Sequence, residues 1–391
     1  MLDVAVVGAG PVGLHLGALL LQAGLSVRIL EQLPAPRPDS RAIGIHPPAL
    51  AALGLAGVAE PLLAAGVQVH SGVARSGGAE VGRLRLSPPV LTLKQARTEA
   101  VLAARVHSLD PQALVRGFRV TSLRDGGSFV TLSGSPAAGA GPGGLEATGA
   151  RHIQARLVVG ADGAHSAVRR LLGIPTGGRD HPDKYLMGDF PDTGCDGATA
   201  VLYLEPGGIV ESFPLPDGLR RWVVHTDSLL SGAGAAELAG LIHERTGIRV
   251  DAGANSMLSA FGVRTRLARS MVSGRAVLVG DAAHEISPIG GQGMNLGWLD
   301  AAALAPIIEA ALQGSNTGRQ LAGFERDRMR AARAAARQAQ LNMVLGRAMP
   351  PSHLQLRNSV LGRVVALRSA HDLVAGRFTM QSRAVGGRLR R

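Results

Sequence analysis

Residues 4–31, VAVVGAGPVGLHLGALLLQAGLSVRILE, constrain this chain more than any other stretch. An apolar strand, Val4–Val7, runs into Gly8-Ala9-Gly10-Pro11-Val12-Gly13. A helical apolar run follows, then Gly24, then a second strand, Val27–Leu30, ending on Glu31. Each part has a task in holding a dinucleotide. Gly8 permits the tight turn, Gly10 lets the backbone approach a pyrophosphate, and Gly13 lets helix and strand pack closely. Together with Pro11 and Val12 they form the phosphate-binding turn, where the helix N-terminus supplies N–H groups and positive dipole. Glu31 lies 18 residues past Gly13, where a carboxylate can accept hydrogen bonds from an adenosine ribose. The same carboxylate repels a 2′-phosphate, so NADP is not expected at this site. A βαβ unit with no ligand is the competing reading; strand, helix, second strand and terminal acid in one register favour the ligand.

Two further segments narrow the choice of dinucleotide. In LVVGADGAHSAVRR (157–170) a buried strand ends at a Gly-Ala-Asp-Gly turn, and a helix starts near Ser166 with Arg169 one turn in. Asp162 either touches the ligand or caps that helix, and Arg169 reads most simply as one half of a buried ion pair. In AVLVGDAAHEISPIGGQGMNLG (276–297) a third apolar strand ends on Asp281, a Pro/Gly loop follows, and a helix begins near Gly293. Open α/β sheets bind ligands at the carboxyl ends of their strands, so Asp281 can accept hydrogen bonds from a polyol. The helix after Gln292 aims N–H groups at the far end of the ligand, which suits the anionic N1–C2=O edge of a reduced flavin. His284 reads as a structural histidine.

With these three segments in place the chain resembles the FAD-dependent aromatic hydroxylases, the class A flavoprotein monooxygenases with the p-hydroxybenzoate hydroxylase fold. That family carries a GxGxxG fingerprint, a DG motif and a GD motif in order, here Gly8–Gly13, Asp162-Gly163 and Gly280-Asp281. Its Arg-Ala…Leu-Gly-Leu pattern is present as Arg41-Ala42 to Leu53-Gly54-Leu55. The resemblance covers most of residues 1–345. It implies non-covalent FAD, with Glu31 on the adenosine ribose, Arg41 near the pyrophosphate, Arg97 near the ribose or phosphates, and the Val120 backbone beside the adenine. Asp281 would bind ribitol. The loop from Pro288 to Asn295, with Gly291, Gly293 and Met294, would wrap the isoalloxazine. The implied reaction takes NAD(P)H as a transient co-substrate and O2, passes through a C4a-hydroperoxyflavin, and hydroxylates an aromatic, a polyprenyl phenol or another electron-rich small molecule. The flavin carries the hard chemistry; the protein positions it and excludes water.

The acid–base residue is not legible. His46 and Pro288 lie near the flavin by resemblance. Tyr203, Glu211, Arg220 and His225 lie on strands of the expected roof over the flavin. Period-two alternation puts Ile209, Glu211 and Phe213 on one face, but which face meets the cavity stays open. A flavin halogenase and a geranylgeranyl-reductase-type oxidoreductase share the FAD motifs, and a non-enzymatic FAD sensor is a further alternative. A halogenase would show a Trp-x-Trp-x-Ile-Pro motif, whereas Trp222 and Trp298 are far apart.

The expected architecture is α/β: a Rossmann-like FAD-binding domain interleaved with a mostly antiparallel sheet domain for the substrate, then C-terminal helices. Residues 1–70, 96–180 and 261–345 are assigned to the first, 71–95 and 181–260 to the second. A helical extension, 346–391, follows from Pro350-Pro351. Helices are expected at 96–106, 234–246 and through 298–345. The tract SGSPAAGAGPGGLEATGA (133–150) reads as a flexible hairpin tip.

Net charge is +12, but Lys94 and Lys184 are the only lysines among 41 basic residues, and aromatic content is 3%. Arginine spread through a chain with so few stacking side chains argues against nucleic acid. Arg326, Arg328, Arg330, Arg333 and Arg337 read as a solvated helix face. Weak attraction to an anionic membrane, helped by Arg388–Arg391, is the second reading. The single Cys195 excludes an internal disulfide, and no metal-ligand spacing occurs. The first strand begins without a basic leader, so a cytoplasmic protein is expected, as monomer or homodimer.

Overall fold

The computed structural model describes residues 1–36, 41–136 and 152–381. Most of the tract expected to form a hairpin tip, and Arg388–Arg391, lie outside the described residues. The chain builds two sheets. The first runs in the order Val272–Ser273, Ala276–Leu278, His152–Gly160, Leu2–Val7, Val27–Glu31, Leu114–Arg116. From Ala276–Leu278 onward these neighbours are parallel, which is why Val4, Ala5 and Val6 form an unbroken apolar run, fully buried on both faces. Phe118–Asp125 and Val130–Pro136 join as an antiparallel flank against His152–Gly160.

The second sheet has nine strands, ordered His284–Glu285, Met257–Ala268, Thr176–Pro191, Leu219–Thr226, Val210–Leu215, Thr199–Tyr203, Val67–Ser76, Ala79–Thr92, Gly44–Ile45. Every pairing is antiparallel except Thr199–Tyr203 with Val67–Ser76. Three of its strands run across the divisions expected after residues 70, 180 and 260. The long strand Thr176–Pro191 was not anticipated; Gly177, Gly178 and Pro182 mask its first half, and the pairing shifts between Asp180 and Lys184.

The outer face of this sheet is covered by the helix Ala235–Thr246, whose Leu238 and Ile242 pack on Leu186, Val201, Trp222 and Val224. The inner face packs Tyr185, Met187, Val223 and Phe261 against Ile289 and Met343. Residues 298–345 are occupied by two helices, Gln292–Leu312 and Gly318–Gly346. The expected solvated arginine face holds for Arg326, Arg330, Arg333 and Arg337 but not for Arg328, which is buried. The last helices, Pro351–Ala366 and Arg368–Phe378, fold back on Ala79–Thr92. They bring the Phe378 ring edge-on to His46 at 6.5 Å and bury Met380 against Ala52, Ile286 and Leu296.

Candidate functional site

The floor of the site is the carboxyl end of the parallel strands. Gly8 has φ +107°, and a Cβ there would lie 2.4 Å from the Ala161 carbonyl oxygen. A Cβ on Gly13 would lie 1.9 Å from the Gly8 carbonyl oxygen, whereas at Gly10 it would point into open space. Gly8 and Gly13 therefore serve close packing, and Gly10 keeps the approach clear for a phosphate. Pro11 opens the helix Pro11–Gln22, and its carbonyl accepts from Trp298 Nε1 at 3.1 Å. Val12 fills the space left by Gly280 and Gly297. Glu31 is held by two main-chain donors, Ala9 N–H to Oε2 at 2.9 Å and Leu33 N–H to Oε1 at 2.8 Å. This fixes a half-buried carboxylate at the end of its strand, with lone pairs left for ribose hydroxyls.

Asp162 does cap its helix: Oδ2 accepts from the N–H groups of Ala167 and Val168 at 2.6 and 3.0 Å. Its Oδ1 is buried without a partner among the described residues. Among the described residues Arg169 makes no ion pair. It donates to the carbonyls of Ala282 (2.8 Å) and Ala164 (2.9 Å), tying the DG turn to the GD turn. Asp281 does not end a strand, because Gly280 at φ +61° breaks the chain after Leu278 and starts a tight turn, Gly280–Ala282. Asp281 is exposed, and a Cβ on Gly293, in the first turn after the loop, would lie 3.8 Å from its Oδ1. The surrounding protein raises its pKa, Glu285 and Asp300 add to the rise, and His284 opposes it.

Beneath that turn lies a buried network that sequence reasoning missed. Asp300 Oδ2 accepts from Gly280 N–H at 3.0 Å and meets His284 Nε2 at 2.6 Å, while Oδ1 accepts from Arg328 Nε at 2.6 Å. The two partners hold Asp300 down to about 2 against its burial. The pair Asp300–Arg328 spans two helices, so no local spacing announces it. One signal was present: an acid in the middle of the otherwise apolar run Leu296–Ile308.

The loop Pro288–Gly291 closes with Gly291 N–H donating to the Pro288 carbonyl at 2.8 Å. Gly290 and Gly291 have φ of 95° and 66°, which only glycine adopts without strain. The helix Gln292–Leu312 then begins, one residue earlier than expected, and the amides of Gln292, Gly293 and Met294 have no partner within the helix. Gln292 Oε1 is also buried without a partner among the described residues. The Asn295 side chain ties this loop to the strand Gly44–Ile45 and His46: it accepts from His46 N–H (2.8 Å) and donates to the Gly44 and Gly291 carbonyls (2.9 and 2.6 Å). His46 packs its ring on Gly290 and Gly291, and burial pushes its pKa down to about 4. It holds the loop and is neutral at pH 7.

Arg41 stacks its guanidinium 5.3 Å over the Phe261 ring, and its carbonyl accepts from Arg221 Nη1 at 2.6 Å. Arg97 is exposed in the first turn of the helix Gln95–Leu109. Val120 buries its side chain, and the strand pairing shifts between it and Ser122. An open glycine turn, two orphaned buried oxygens and a helix N-terminus beside a carboxylate fit a dinucleotide with a polyol and an electron-rich ring.

The roof settles which side chains face that crevice. Tyr203 lies on the outer face, stacked on Trp222 at 5.9 Å, with its oxygen accepting from Arg75 at 3.3 Å. Arg220 is also outside, bound to Asp192, Ser212 and two carbonyls. Neither is available as the acid–base group, because strand alternation turns them away. Glu211 and His225 lie on the inner face with Val223, as does Tyr185, a residue that sequence reasoning missed together with its strand. Tyr185 stacks on Phe261 at 5.5 Å and meets the His225 ring edge-on at 5.4 Å.

Comparison with known proteins agrees with this geometry. The FAD binding domain family matches residues 1–339. The chain is 32% identical over 324 residues to a rifampicin monooxygenase of Streptomyces venezuelae, covering 80% of this chain and 65% of that enzyme. It is 29% identical over 345 residues to a para-nitrophenol 4-monooxygenase of a Pseudomonas strain, covering 83% and 82%. It thus spans just under two thirds of the first relative and more of the second. The structure of p-nitrophenol 4-monooxygenase from Pseudomonas putida superposes with a TM-score of 0.86 at 24% identity, covering 100% of this chain and 99% of that one. Matched along most of its length, the chain belongs to the FAD binding domain family, has the fold of the class A flavoprotein monooxygenases, and takes FAD as its cofactor.

Proposed function

We propose that the chain is a FAD-dependent monooxygenase that uses NAD(P)H and O2 to hydroxylate an aromatic or other electron-rich small molecule. The observation that carries this reading is the convergence of the glycine turn, Asp162, Asp281 and the 288–294 loop under one apolar sheet face. Relatives named for rifampicin, para-nitrophenol and anhydrotetracycline oxygenation support it. Bound FAD supplies the redox chemistry: two electrons from NAD(P)H split O2, one oxygen atom enters a substrate C–H bond, and the other leaves as water.

The chain's own residues bind, orient and exclude water. Glu31 and Asp281 accept hydrogen bonds from the sugar and polyol hydroxyls. The first-turn amides of Gln292–Leu312 stabilise negative charge at the ring's polar edge. Met187, Val223, Phe261 and Ile289 supply the apolar wall that keeps water from the reacting atoms. A second dinucleotide fingerprint is lacking in the sequence, so NAD(P)H binds transiently, drawn by Arg41 and Arg264 at the crevice. Nothing favours the halogenase alternative: Trp298 is bonded to Pro11, Trp222 lies behind the sheet, and Lys94 and Lys184 are engaged by Asp189 and the His181 carbonyl.

The test is to reduce the FAD-loaded protein anaerobically with NAD(P)H, then admit isotopically labelled O2 with a panel of phenols and anilines. Labelled hydroxyl in a product is expected. Peroxide alone, with every member of the panel, overturns the reading.

A further inference from the structure

On the inner face of the roof Glu211 is only 8% exposed, and its cross-strand neighbours are Leu202 and Val223. Among the described residues no group donates a hydrogen bond to its carboxyl and no cation pairs with it. Such a group is costly to keep in an apolar wall unless something else satisfies it. On the same face the Tyr185 hydroxyl is buried without a partner. The wall around both consists of Met187, Val223, Phe261 and Ile289, the last from the loop beside the helix N-terminus. Among the cations of this region, Arg221 and Lys94 pair with Asp189 and Arg347 pairs with Asp183, while Arg41 lies over the Phe261 ring.

We infer that Glu211 anchors the hydrogen-bond donor of the substrate, a phenolic hydroxyl or an aromatic amine, and that this face rejects aromatic carboxylates. The inference rests on the monooxygenase reading for what happens to the ligand, not for its binding. A lone carboxyl accepts from a donor and repels a second carboxylate.

The protonation states support it. Burial pushes Glu211 up to about 7. The groups facing it from neighbouring strands and from the end of the long helix are Tyr185, Asp183, His225 and Arg347. Tyr185 is raised by burial and by the Glu211 and Asp183 charges, and stays neutral. Asp183 is lowered by Arg347 and stays anionic, Arg347 is raised by Asp183 and stays cationic, and burial lowers His225 while the Asp183 charge opposes the fall. Glu211 loses its proton near pH 7, so donor binding strengthens as pH rises past that point.

The experiment titrates the FAD-loaded full chain with phenol, benzoate and anisole, following the flavin absorbance. Phenol is expected to bind about tenfold or more tighter than benzoate near pH 8.5, and to weaken by about tenfold near pH 6. In Glu211→Gln the preference and the pH dependence should both shrink to within about twofold. Should that variant fail to load FAD, anisole on the wild-type protein serves instead: it lacks the donor and should bind weakly without pH dependence. An unchanged preference in the variant, a wild-type preference for benzoate, no phenol binding, or equal pH dependence for anisole overturns the inference. Phenol binding that depends on Glu211 with no oxygenated product keeps the anchor and overturns the monooxygenase reading.

Discussion

On the outer face of the nine-stranded sheet Arg220 sits 3% exposed with every branch engaged: Asp192 at 3.0 Å, Ser212 at 3.0 Å, and the carbonyls of Thr199 and Gly197. Tyr203 beside it is stacked on Trp222 and bonded to Arg75. On the inner face of the same sheet Glu211 and the Tyr185 hydroxyl are also buried and have no such partners among the described residues. Buried polar groups are normally satisfied, and an exception calls for a reason. The outer face is finished within the protein; the inner face is finished by a ligand. Active-site residues held against stability follow the same logic.

Substitutions should therefore act in opposite directions on the two faces. The largest effect is expected for Arg220→Met, which leaves Asp192 and two carbonyls without their donor. Stability should fall by about 3–5 kcal/mol in denaturant titration, with phenol selectivity unchanged. Retained stability would show that the outer face is not the tightly satisfied one. Glu211→Gln should do the reverse. Its folded pKa, about 7 against 4.5 for the ordinary group, means that the native state binds the proton more tightly. That contribution is fully present below pH 4.5 and is lost as pH rises to 7. The glutamine variant should therefore match wild type near pH 4 and exceed it by about 3 kcal/mol near pH 8. A variant less stable than wild type near pH 8 breaks the comparison.

Asp281→Ala probes the floor opposite the inner face. It removes a charge-assisted bond of roughly 1.5–3 kcal/mol, so FAD affinity should fall about ten- to a hundredfold with the fold kept. Fluorescence titration of the FAD-stripped protein checks this, and unchanged affinity removes the carboxylate from the cofactor's contacts. The smallest effect belongs to Tyr203→Phe: less than about 1 kcal/mol of stability and no change in phenol affinity. A shift in phenol affinity would place Tyr203 at the cavity after all.

Much of the floor was legible before any coordinates. Gly8, Gly13, Gly290 and Gly291 stand where positive φ or sub-3 Å approaches exclude a side chain, and such needs leave a local mark in the sequence. Strand, turn and helix are contiguous there, so the motif carries its own geometry. The Arg169 and Asn295 roles were not legible. Arg169 bonds to a carbonyl 113 residues away, and Asn295 to a main-chain group 249 residues away. The strand Thr176–Pro191 was hidden by its glycines, its proline and its charges.

What the sequence alone determined, then, is the nucleotide-binding floor and the alternation of the roof strands, because both follow from bonds within a few residues. It placed Glu211 and Phe213 on one face and could not say where that face looks. Only the tertiary structure decided that Glu211 and Tyr185 lie on the face packed by the Ile289 loop while Tyr203 and Arg220 lie on the other. A period of two divides a strand into two faces, and the choice between them is made by what packs on each: the helix Ala235–Thr246 on one, the Ile289 loop on the other.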